Sequence, residues 1–136
     1  MGLVEWKDEF SVEIAEIDEQ HQSLFRLINR LYEGLVRGQD KELLGPVLTE
    51  LEDYTRTHFK AEEDYFERWE YPAAEKHKLE HETFTRNLHR LKTEFESGVQ
   101  VGISVQLLSF LSAWLRKHIL VSDHQYSVFL KQKAVK

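Results

Sequence analysis

The chain has 136 residues, 41% of them apolar, with 18 lysines and arginines against 24 acidic residues and a net charge of −6. That size suits one domain around one core, and the acidic balance excludes the basic surface that nucleic acid requires. The absence of cysteine excludes thiolate metal sites, iron–sulfur clusters, disulfides and cysteine nucleophiles.

The opening MGLVEWKDEFSVEI lacks the basic region and continuous apolar run of a signal peptide. No stretch is apolar for long enough to span a bilayer, so a soluble cytoplasmic protein is expected. Residues up to about 17 carry Trp6, Phe10, Val12, Ile14 and Ile17 without a long helical period and read as an extended arm packed along the rest. A first helix is predicted over about 18–37, capped by Asp18, with His21, Leu24, Ile28, Leu31 and Leu35 on its buried stripe. Gly38-Gln39-Asp40 reads as a turn.

A second helix is predicted over about 41–65, either beginning properly near Pro46 or kinked there. Its stripe is Leu44, Leu48, Leu51, Thr55, His58, Glu62 and Phe66, and Tyr71-Pro72 marks the connection that follows. A third, over about 73–96, places His77, His81, Phe84, Leu88, Leu91 and Phe95 on one face and stops at Ser97-Gly98. The fourth, about 102–121, carries Leu111, Trp114 or Leu115, and His118, and a tail or short helix follows over about 123–131. Four helices joined by short loops predict an all-α, up-down-up-down four-helix bundle in a single domain spanning 1–136.

Five of the seven histidines interrupt these apolar stripes. One such histidine is most often a hydrogen-bonded core residue, but the combination points elsewhere. His58 and Glu62 stand four apart on one helix, as His77 and His81 do on another, so each pair projects the same way. Together with His21, His118 and Asp123 they place five imidazoles and two carboxylates inside the bundle, with no lysine or arginine on the stripes. Buried carboxylates without compensation are costly, so a cation among them is expected, and it would be part of the fold. His118 and Asp123 stand five apart; an ideal helix would separate them by about 140°. They converge only if the helix ends, bends or widens into a π-bulge between them. Seven nitrogen and oxygen donors without sulfur exceed one structural zinc site and suit two bridged ions, with iron, manganese and zinc all open.

The chain resembles the bacterial hemerythrins, non-haem di-iron oxygen-binding proteins. The marks are Trp6, Phe10, Val12 and Ile17-Asp18-Glu19-Gln20-His21, then His58-Phe59-Lys60-Ala61-Glu62-Glu63, His77-Lys78-Leu79-Glu80-His81 and His118-Ile119-Leu120-Val121-Ser122-Asp123, in that order over nearly the whole chain. The resemblance implies one iron on His77, His81 and His118, a second on His21 and His58, and Glu62 with Asp123 bridging both. It also implies a bridging oxo or hydroxo group, with Fe2+ in the deoxy form and Fe3+ in the oxy and met forms. Counting donors then leaves one empty position beside His21 and His58, where dioxygen would bind. Phe59, Trp114, Leu115 and Ile119 match positions that line the family's oxygen pocket. Leu24, Phe25 and Tyr126 read as core, the tyrosine hydroxyl being within reach of a supporting role. His89 and His124 are expected to be solvated non-ligands, and Glu63 and Asp64 surface charges.

The leading functional expectation is reversible oxygen binding for storage or delivery by a monomer, with dioxygen as ligand and an oxygen-consuming enzyme as recipient. An oxygen or redox sensor ranks lower because a receptor would need a further domain. A di-iron enzyme acting on peroxide or nitric oxide also ranks lower. Histidines outnumber carboxylates at the site, whereas oxygen-activating di-iron sites are rich in carboxylates, and no general acid or base stands apart from the ligands. Iron buffering with incidental oxygen binding is the remaining reading.

Overall fold

The computed structural model describes residues 2–98 and 102–133; the expected first residue of the arm, Met1, lies outside them. A short 3₁₀ turn at Asp8–Phe10 precedes α1 (Ala15–Val36), α2 (Asp40–Trp69), α3 (Ala74–Glu96) and α4 (Ile103–Trp114). A π-helical segment, Leu115–Asp123, then leads without a break into α5 (His124–Gln132). The architecture is the all-α four-helix bundle expected, with an extended arm and a short C-terminal helix.

Several boundaries differ from the periodicity reading, each for a local reason. α1 starts at Ala15, three residues before Asp18, because the Asp18 carboxylate does not cap the helix. It accepts hydrogen bonds from Ser11 Oγ at 2.5 Å and from the Val12 amide at 2.8 Å, and so ties the arm down. α2 begins at Asp40 with Pro46 inside it, and it continues past 65 to Trp69. The extra turn buries Phe66, and the helix ends where Glu70 enters the left-handed region at φ 53° and the Tyr71 amide donates to the Phe66 carbonyl. The fourth helix does not stop near 121, since its last turns widen instead of ending.

The arm is held by Asn29, whose side chain pairs with both the amide and the carbonyl of Val4 at 2.9 and 2.8 Å. Phe10 meets Phe25 edge-on at 4.8 Å, and Trp6 meets the same ring at 5.3 Å. α1 and α2 approach closely at Gly34, where a Cβ would fall 2.4 Å from a Leu43 methyl.

Two apolar clusters form the core. The larger includes Leu24, Ile28, Leu31, Leu48, Leu51, Phe84, Leu88, Leu107, Leu111, Leu115 and Ile119. The smaller is Val12, Ile14, Ile17, Phe66, Tyr126 and Leu130. Along α1 the chain passes from Ile17 through His21 to Leu24; along α2 it passes from Phe59 through Glu62 to Phe66. After α4 it passes from Ile119 through Asp123 to Tyr126. The two clusters are thus separated by a buried polar layer.

Candidate metal centre

That layer contains all seven residues singled out by spacing. His21, His58, Glu62, His77, His81, His118 and Asp123 are each buried. Their donor atoms gather in two groups: Glu62 with His77, His81 and His118, and His21 with His58, Glu62 and Asp123. Glu62 belongs to both. Its Oε1 lies 3.0 Å from His81 Nε2, 3.4 Å from His58 Nε2 and 3.7 Å from His77 Nε2, while Oε2 lies 3.9 Å from His21 Nε2. Asp123 also faces both ways, with Oδ1 2.9 and 3.0 Å from Nε2 of His77 and His118 and Oδ2 3.1 Å from Nε2 of His21.

The approach of His118 to Asp123 follows from the helix geometry. In the π-helical segment Leu115–Asp123 hydrogen bonds run from i to i+5, so the fifth residue comes round over the first. The widened turn is the alternative, among ending, bending and widening, that the chain adopts.

These atoms crowd together without satisfying one another. Nε2 of His77, His81 and His118, Oε1 of Glu62 and both oxygens of Asp123 are buried and lack a hydrogen-bond partner among the described residues. Nearly all buried polar atoms are paired in folded proteins, so converging lone pairs at this density form a donor set that could hold a cation. The opposite ring nitrogens of three of these histidines are tied down by side chains around the layer, whereas His21 Nδ1 is buried without a partner among the described residues. His58 Nδ1 faces Gln20 Oε1 at 2.6 Å, His81 Nδ1 faces Glu63 Oε2 at 2.8 Å, and His118 Nδ1 faces Glu80 Oε1 at 2.9 Å. An Nδ1–H donating outward leaves the Nε2 lone pair pointing inward, the tautomer a metal needs. The Tyr126 hydroxyl donates to Glu62 Oε2 at 2.5 Å.

Electrostatics are those of a site built for positive charge. Burial and the Asp123 carboxylate both push Glu62 upward, yet the surrounding His58, His77 and His81 hold it below the usual carboxylate range. Burial would likewise lower His77 and His118, but the Asp123 and Glu62 carboxylates raise them to about 9 and about 10. His58 goes the other way, lowered by burial to about 3.

The model of the Hemerythrin HHE cation binding domain matches residues 12–129. The chain belongs to the hemerythrin family. It is 34% identical to the bacteriohemerythrin of Stenotrophomonas maltophilia over 93% of this chain and 81% of that one. To the bacteriohemerythrin of Clostridium acetobutylicum it is 34% identical over 89% and 96% of the respective chains. A crystal structure of hemerythrin with one leucine changed to alanine superposes with a TM-score of 0.83 at 29% identity, covering 93% of this chain and 96% of that chain. The two clusters of histidine and carboxylate among the described residues of this chain are consistent with a di-iron, oxygen-binding hemerythrin-like site. Family membership supports a binding protein rather than a catalytic enzyme.

Around this hemerythrin site the aromatic residues divide unequally. Phe59 stacks on His81 with centroids 3.8 Å apart, and Trp114 stacks on His118 at 3.8 Å, so both cover the three-histidine group. Phe59 reaches His58 only as a tilted ring at 5.8 Å. Leu115 and Ile119 are buried in the larger cluster with Leu24 and Phe25. The ring stacked on His58 is Tyr54, at 5.0 Å and 15°. His89 and His124 are exposed, in keeping with a place outside the site.

Sequence reasoning missed four supporting residues. Glu63 was expected to be a surface charge like Asp64; Asp64 does pair with Lys60 at the surface, but the Glu63 carboxylate turns inward to His81. Glu80 and Gln20 were not singled out, nor was Tyr54. Tyr54 stands four before His58 on the same stripe, which was the one signal that could have marked it.

Proposed function

We propose that this protein binds dioxygen reversibly at two iron ions, for storage or delivery in the cell. His77, His81 and His118 would hold one ion, His21 and His58 the other, and Glu62 and Asp123 would bridge them. The single observation that carries the reading is this inequality of donors around shared carboxylates. With three histidines on one side and two on the other, an ion held by His21 and His58 would have one donor fewer and could take a further ligand there. Such a pair, Fe2+ when deoxy and Fe3+ when oxy or met, together with an oxo or hydroxo group, would supply two electrons and a position for oxygen.

The chain's own residues do the rest. Gln20, Glu63 and Glu80 orient the imidazoles, and the Tyr126 hydroxyl orients Glu62. Leu115 and Ile119 would wall the oxygen pocket, with Phe59 and Trp114 closing the neighbouring three-histidine side, and together they would exclude water, which slows loss of the bound ligand. On this reading the protein works as a cytoplasmic monomer that hands oxygen to an oxygen-consuming enzyme. In support, no helix among the described residues is long and apolar enough to cross a membrane.

The test is an anaerobic titration of the reduced, iron-loaded protein with oxygen, followed optically and reversed by degassing. Uptake that reverses without change supports the proposal. Steady oxygen consumption would replace it with an enzymatic role, and a single irreversible oxidation with iron buffering.

A further inference from the structure

Tyr54 is buried, and its hydroxyl has no hydrogen-bond partner among the described residues. A phenylalanine would fill the same space and keep the stack on His58 without desolvating a hydroxyl. The neighbouring tyrosine of the polar layer, Tyr126, shows the ordinary arrangement, its hydroxyl satisfied by Glu62. The Tyr54 hydroxyl therefore faces a partner that the described side chains and backbone do not supply.

Its position narrows what that partner is. The ring lies on the face of His58, whose Nε2 is 3.1 Å from Nε2 of His21, so Tyr54 belongs to the two-histidine side. The residues stacked on the three-histidine side, Phe59 and Trp114, leave no comparable orphan donor there. A groove of about 560 Å³, lined in part by Gln20, Leu27, Tyr54 and His58, opens beside the same histidine.

We propose that the Tyr54 hydroxyl donates a hydrogen bond to a small anionic or oxygen ligand held on the His21–His58 side of the centre. The inference rests on the two-ion reading above. It makes Tyr54 a specificity-determining residue, favouring ligands with an acceptor atom beyond the one that meets the metal.

The experiment compares wild type with Tyr54→Phe in three measurements: iron per chain, affinity of the diferric protein for azide, and thermal unfolding of the metal-free chain. Both proteins should hold two irons, the metal-free variant should melt no lower than wild type, and azide should bind the variant on the order of tenfold more weakly. Two irons with unchanged azide affinity overturns this inference alone. A lower melting point for the metal-free variant also overturns it, because the hydroxyl then has a partner within the protein. A wild type that holds no iron pair overturns the two-ion reading and this inference with it.

Discussion

His118 Nε2 and Asp123 Oδ1 lie 3.0 Å apart although they stand five positions apart in sequence, because the turn between them is π-helical. π-Helical turns are rare, and they occur frequently at functional sites. On the proposed two-ion reading, the widened segment would carry both a ligand, His118, and a bridging carboxylate, Asp123, to stabilise it. Removing the metal should therefore loosen this segment first. We expect backbone amides of 115–123 to exchange at least about tenfold faster in the metal-free protein, with a smaller change in the middle of α1. Hydrogen exchange followed by mass spectrometry measures this. Uniform acceleration throughout the bundle would show that the π turn is not held by the metal.

Asp123 faces both donor groups, with one oxygen toward His77 and His118 and the other toward His21. Asp123→Asn keeps the shape and removes the charge. The expected result is loss of the two-ion pair, with metal content falling to one ion per chain or fewer. Elemental analysis of the purified variant decides it, and two tightly held ions would contradict the bridging role.

Glu80 accepts from both His118 Nδ1, at 2.9 Å, and Ser122 Oγ, at 2.7 Å. It is the clamp that sets the orientation of His118, and the His118 hydrogen bond holds the Glu80 carboxyl below the usual range. Glu80→Ala should weaken metal affinity by about 10–100-fold while the helices remain folded. A chelator competition assay reads the affinity, and circular dichroism checks the fold. Unchanged affinity would leave Glu80 as no more than a surface carboxylate.

In the metal-free protein, charge balance in the polar layer falls to protons. His77 and His118 are raised from 6.5 to about 9 and about 10, after burial is outweighed by Asp123 and Glu62. A folded pKa above the unfolded value contributes stability that is complete below pH 6.5 and is lost as pH rises through about 9 to 10. His58, lowered by burial to about 3, acts in the opposite sense and costs stability as pH falls below 6.5. The melting temperature of the metal-free protein should thus peak near neutrality and fall by about 5 °C or more toward pH 10. With metal bound the cation takes the place of those protons, and the alkaline fall should disappear. A metal-free protein that melts alike at pH 7 and 10 would refute the charge balance.

The sequence alone was enough to place His58 with Glu62 and His77 with His81, because residues four apart on a helix share a face by the geometry of the helix itself. It was also enough for the bundle and for the burial of the seven donors, since polar groups on otherwise apolar stripes must enter the same core. Tertiary structure decided what lies across helices. Gln20 meets His58 over 38 positions of sequence and Tyr126 meets Glu62 over 64, distances at which no local period constrains side chains. Whether Glu63 turned outward or inward depended on how α2 and α3 rotate against each other. Only the packed bundle set the π turn that brings Asp123 to His118, because a wider turn has to be stabilised by contacts that the segment cannot make by itself.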